Sequence, residues 1–112
     1  MKASRLIFTL LLASSVAVVQ LAAQPTKADQ KPLAEVKAKA QAGDADFQAE
    51  LGLRYDKGEG VAKDYVEAYK WLLLAARQGD EDAKKNLTAL ESKLTPEQIA
   101  DGQKRAREFK PR

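Results

Sequence analysis

The 112-residue chain contains no cysteine and no histidine. Without cysteine there is no disulfide framework, no thiol nucleophile and no lipid attached to a mature N-terminal Cys. Without histidine the usual general base, the serine and cysteine triads and the commonest zinc ligand are gone. The chain also lacks a basic stripe interleaved with aromatics, so nucleic acid is a poor candidate partner. Its 19 basic and 16 acidic residues are interspersed, as on an ordinary solvated surface. No strand-like alternation of four or more residues occurs, and all-α is the fold class that remains.

Two further candidate sites reduce to structure. Gly58-Glu59-Gly60 is too short for a phosphate loop and follows no strand, so it reads as a turn between helices. The carboxylates Asp44/Asp46 and Asp80/Glu81/Asp82 fall at expected helix starts, where the helix dipole favours negative charge by roughly 0.3–1 kcal/mol. A calcium site would need a denser ligand loop. No cofactor and no metal are expected.

The first residues read as an address. Lys2 and Arg5 precede an uncharged apolar run, Leu6 to Val19, and Leu21-Ala22-Ala23 supplies small residues before Gln24-Pro25. This is the pattern of a secretory signal peptide over residues 1–23, cut after Ala23. The run is shorter than the roughly 20 residues that span a bilayer, although an uncleaved anchor is the alternative. Export, most simply to a periplasm, is the expectation. Residues 24–31 are a polar lead-in expected to be flexible, and residues 32–112 form one domain by length. The part after Ala23 has 17 basic and 16 acidic residues, so the basic isoelectric point reflects a small imbalance and not a basic face.

What the chain does have is an internal repeat spaced by 36 residues. Ala40 matches Ala76, Gly43-Asp44 matches Gly79-Asp80, Asp46 matches Asp82, Leu51 matches Leu87 and Lys57 matches Lys93. A period in this range marks a helical solenoid. The punctuation predicts five helices in antiparallel pairs. Pro32 opens the first, at the first helical position, with Leu33, Val36 and Ala40 on one side. Gly43 ends it and Asp44 caps the next, on which Phe47, Leu51 and Tyr55 form an apolar face. Gly52 would let a neighbouring helix come close. Gly58 and Gly60 turn the chain. Asp64 caps a helix running to about Gln78, with Tyr65, Ala68, Trp71, Leu72, Ala75 and Ala76 as apolar positions. Glu81 to about Lys93 repeats the first type. Thr95 to Gln98 reads as a capping box, opening a last helix that carries Ile99, Ala106 and Phe109.

Ala42-Gly43-Asp44, Leu51-Gly52-Leu53-Arg54-Tyr55, Gly58-Glu59-Gly60-Val61-Ala62-Lys63-Asp64-Tyr65, Ala68-Tyr69-Lys70-Trp71, Ala75-Ala76 and Gln78-Gly79-Asp80 together resemble the Sel-one-like repeat, a relative of the tetratricopeptide repeats. The resemblance is dense from Ala40 to Leu87: one complete repeat, half a repeat before it and a degenerate one after. It implies a right-handed superhelix of helix pairs, about two repeats long. It also implies scaffolding or adaptor work on other proteins, often after export, and no catalytic residues. Some exported, cysteine-rich members are linked to a penicillin-binding or β-lactamase-like activity. With no cysteine here, that link carries over to no residue. Trp71 matches the family's core Trp, which makes packing its expected role rather than ligand stacking.

The repeat points to one candidate partner face. Asp46, Glu50, Leu53 and Lys57 share a side of the first-type helix, and Asp82, Asn86, Ala89 and Lys93 are their equivalents 36 residues on. In superhelical repeats the first-type helices line the concave side, so these eight residues are expected to border a short groove for a peptide segment or one helix. Leu73 and Leu74 depart from the family, which often has polar residues there. They make the second-type helix apolar nearly all round. Either flanking helices cover them or a partner does, and the latter would predict a homodimer. The leading reading is thus an exported, non-catalytic protein–protein interaction module. The alternative is a cell-wall-associated enzyme or ligand-binding protein, which would need a carboxylate of raised pKa that nothing in the sequence marks.

Overall fold

A computed structural model describes residues 31–112. The expected signal segment, its cleavage point and nearly all of the lead-in lie outside the described residues. Within them the chain forms five helices and no strand: α1 (Leu33–Gln41), α2 (Ala45–Lys57), α3 (Tyr65–Arg77), α4 (Glu81–Glu91) and α5 (Pro96–Glu108).

The joints between helix pairs are very short because one residue serves two helices. After α1, Gly43 takes φ +104° and donates its N–H to the Ala40 carbonyl, while Asp44 N–H reaches back to Lys39. The Asp44 carboxylate then accepts from Asp46 N–H and Phe47 N–H and starts α2. The arrangement recurs one repeat later. Gly79, at φ +98°, donates to Ala76, and Asp80 N–H returns to Ala75. The Asp80 carboxylate caps Ala83 N–H. Between α2 and α3, Gly58 (φ +73°) ends the helix, and Asp64 caps α3 through Val66 N–H and Glu67 N–H. Thr95 and Gln98 form the reciprocal capping box of α5.

Three boundaries differ from the sequence reading. Pro32 sits just before α1, at its N-cap, because its backbone is extended (ψ 139°) rather than helical. α4 stops at Glu91, short of Lys93. Phe109 lies beyond α5, with ψ 131°. The chain straightens there so that Phe109 can reach Trp71.

α3 is the centre of the domain. It packs against α2, α4 and α5, while α1 packs on α2. On one side Ala68, Tyr69, Leu72 and Ala75 form a core with Ala83 and Leu90 of α4. On the other, Trp71 joins Leu51 of α2 with Val36 and Ala40 of α1, and Phe109 packs over it. The all-round apolar character of α3 follows from this placement: Leu73 packs on the first core and Leu74 on the second, both half-buried.

Two glycines set the closest approaches. A Cβ on Gly52 would stand 2.8 Å from Leu72 Cγ, as expected of a residue that brings α2 against α3. Gly102 does the same for α5, where a Cβ would stand 2.6 Å from Tyr69 Cδ1. The helical-repeat architecture expected of the chain is therefore present, as a short solenoid of packed helix pairs.

Candidate partner-binding face

α2 and α4 both lie against α3, and an ion pair links their C-terminal ends. There Lys93, just past α4, places Nζ 3.4 Å from Asp56 Oδ1 on α2 and 5.3 Å from the centre of the Tyr65 ring. The two helices run in the same direction, each antiparallel to α3. Between them Leu53 and Leu87 both settle on the first core.

The eight residues read from the repeat divide by exposure. Asp46, Lys57, Asp82, Ala89 and Lys93 are exposed; Glu50, Leu53 and Asn86 are half-buried. Exposed charges thus stand beside the half-buried Glu50, Leu53 and Asn86 on the two helices. Lys93 differs from its counterpart Lys57, because its charge is already engaged with Asp56. Leu73 and Leu74, neighbours on α3, pack against different cores.

The structure adds residues that the pattern did not single out. Arg54 is buried on α2, with a guanidinium nitrogen 3.9 Å from Glu50 Oε1. The other carboxylate oxygen, Glu50 Oε2, is buried without a hydrogen-bond partner. A buried carboxylate oxygen with no donor is costly, and it sits in the row of candidate residues. Only the helical spacing of Glu50 and Arg54, four apart, hinted at the pair. Gln48 is also fully buried, and its Nε2 donates to the Ala40 carbonyl at 3.1 Å.

Ion pairs fasten the last helix to the centre. Glu67 of α3 receives Arg105 of α5 at 2.9 Å and Lys70 at 3.3 Å, and Arg105 also bonds Asp101. The Arg105 guanidinium is held still more firmly protonated by these carboxylates, Asp101 first and Glu67 next. Tyr69 O–H donates to Glu91 at 3.2 Å, tying α3 to the end of α4. Burial, before any charge, pushes the Tyr69 and Tyr55 hydroxyls above the usual tyrosine range. Among the described residues no group of three or more acidic side chains is arranged to hold a metal ion.

A helix pair with a shared Asp joint, a glycine-built turn and a central second helix clamped by both neighbours defines a short α-helical repeat module. The Sel1 repeat family model matches residues 45–80, which span α2, the turn, α3 and the joint to α4, so this part of the chain is a Sel1-like repeat. No curated protein matches the chain. Sel1 repeats make helical modules that bind other proteins.

Proposed function

We propose that this chain is an exported adaptor, a non-catalytic module that holds a segment of a partner protein along the face shared by α2 and α4. The observation that carries the reading is the parallel placement of two first-type helices on one central helix. Leu53 and Asn86 are half-buried on these helices, and Asp46, Lys57, Asp82 and Lys93 are exposed. Such a face suits an extended peptide or a single amphipathic helix with both charge signs at its margins. Export rests on the apolar N-terminal run and its small-residue end. The absence of histidine and cysteine in the whole chain supports a binding role over acyl transfer or thiol chemistry.

The test is crosslinking of the tagged full chain in its native cell envelope, followed by mass spectrometry, with a Lys57→Glu/Lys93→Glu variant alongside. The reading expects one envelope protein to be enriched with the wild type and lost with the variant at equal abundance of bait. Equal capture by both would remove the α2/α4 face from the proposal. Recovery of the bait only in the cytoplasm would remove export.

A further inference from the structure

A concavity that uses no residue of α2 or α4 is lined by the end of α1, by α3, by α5 and by the tail. The tail after α5 does not leave the domain. Phe109 packs edge-on against Trp71, with ring centres 5.5 Å apart and planes 74° apart. Arg112 N–H then donates to the Gln41 carbonyl at the end of α1, at 2.8 Å. The tail thus bridges α5 and α1, and the cleft beneath it has a volume of about 510 Å³. That is within the range of small-molecule sites, roughly 300–1,000 Å³.

The lining is chemically one-sided. Lys70, Arg105, Lys110 and Arg112 contribute four cations, and Glu108 is the single acidic side chain among the lining residues. Two of the cations are committed: Glu67 holds Lys70 and Arg105, and Asp101 holds Arg105 as well. Lys110 and Arg112 are exposed and have no ion-pair partner among the described residues. Their charge is what a ligand would meet, opposed locally by Glu108. The aromatic part comes from Phe109, half-buried, with the buried Trp71 behind it and Lys70 Nζ 4.3 Å from the Trp71 ring centre. Trp71 also keeps an indole N–H that is buried without an acceptor.

We propose that this cleft binds a small organic acid, a planar or apolar body carrying a carboxylate, with the carboxylate toward Lys110 and Arg112 and the body against Phe109. A guanidinium accepts a carboxylate through two parallel hydrogen bonds, and an ammonium adds a point charge beside it. An apolar body gains by covering the exposed part of the Phe109 ring. This site is independent of the α2/α4 face, because it uses none of its residues.

Trp71 is the only tryptophan in the chain, so its indole N–H gives one cross-peak in a proton–nitrogen correlation spectrum of the full chain. The probe is 3-phenylpropionate, with 3-phenylpropionamide as the uncharged counterpart. Saturable movement of the Trp71 cross-peak is expected with the acid. The amide and the Lys110→Ala/Arg112→Ala variant are each expected to bind about tenfold more weakly, roughly the loss of one charge-assisted contact. Raising the salt from about 50 to 300 mM should weaken the acid and leave the amide unchanged. Both substituted side chains are exposed, and the Arg112 bond to Gln41 is made by the main chain, so the variant keeps its fold and its helical circular dichroism checks this. No saturable shift with millimolar acid, equal shifts from acid and amide, or unaltered binding by the variant would each overturn the proposal.

Discussion

Gln78 Nε2 donates to Gln48 Oε1 at 2.8 Å and, with its second hydrogen, to the Gly43 carbonyl at 2.9 Å. Gln48 in turn donates to the Ala40 carbonyl. One residue at the end of α3 thus secures both the joint between α1 and α2 and the buried amide that closes it. The orientation of both amides is set by these carbonyl acceptors, since only the NH₂ end of each can face a carbonyl. Replacing Gln78 by Ala strands Gln48 Oε1 without a donor. The expected cost is about 1–3 kcal/mol, the penalty for an unsatisfied buried acceptor. Urea denaturation of Gln78→Ala, Gln48→Ala and the double variant would show a double loss clearly smaller than the sum of the singles.

Gly102 is where the last helix meets the core. A methyl group there would stand 2.6 Å from Tyr69 Cδ1, and Tyr69 is only 2% exposed, so it has little room to move. Alanine would ordinarily favour a helix by about 1 kcal/mol over glycine. Here overpacking, worth about 1–3 kcal/mol, outweighs that gain. Gly102→Ala should therefore lower the melting temperature, whereas Ala100→Gly, at an exposed site on the same helix, should lose only the propensity term. A Gly102→Ala protein that melts higher would show that α5 docks less closely than the structure has it.

Phe109 covers Trp71 from outside the helix that precedes it. Phe109→Ala is expected to cost on the order of 2 kcal/mol, through lost burial and the lost ring pair. It should also shift Trp71 emission to the red as the indole meets water. Trp71→Ala should cost more, about 3–5 kcal/mol, because it empties the centre of the second core. Chemical denaturation orders the two variants, and the fluorescence of the first identifies the mechanism.

The tyrosine hydroxyls give a pH dependence with a definite sign. Burial raises Tyr69 above its ordinary value of 10.0, with the Glu91 charge adding to it and a Gln103 hydrogen bond opposing it. The folded state therefore favours the protonated form. This contribution is fully present below the unfolded pKa and is lost as pH rises through the folded one. Stability should be insensitive to Tyr69 up to about pH 9 and fall above pH 10. In Tyr69→Phe the alkaline fall should be shallower, as read from denaturation midpoints between pH 8 and 11.

Lys57 and Lys93 occupy equivalent places in the repeat but should behave differently. Lys57→Glu acts on an exposed side chain and should leave stability within about 0.5 kcal/mol of wild type. Lys93→Glu places a carboxylate opposite Asp56 and should cost up to about 1 kcal/mol, less at high salt. Thermal melts at low and high ionic strength separate the two. Both should weaken partner capture if the α2/α4 face is the binding surface.

Much of the fold was legible because its signals are local. Gly43-Asp44 and Gly79-Asp80 each carry a helix stop and the next start within two residues, which needs no knowledge of the rest of the chain. The candidate face was legible only as a list of positions. Its eight residues follow from helical spacing and the repeat, but spacing cannot reveal that Lys93 turns to Asp56, or that Glu50 leaves an oxygen buried beside Arg54. Those depend on which helix stands next to α2. The run Leu72-Leu73-Leu74 was ambiguous for the same reason. An apolar face is identical in sequence whether a partner or the chain's own helices cover it.

By itself the sequence determined the helical class, the caps and turns, the Sel1 repeat and the chemistry that is absent, since each rests on residue types and short-range spacing. The tertiary structure decided the rest. It placed α3 between two cores, set Gly102 against Tyr69, and drew Phe109 and Arg112 back across Trp71 and α1 to form a basic cleft. These are contacts between residues tens of positions apart. They arise from how packed helices share a limited volume, a constraint that acts on the assembled chain and leaves no local mark on any one of its helices.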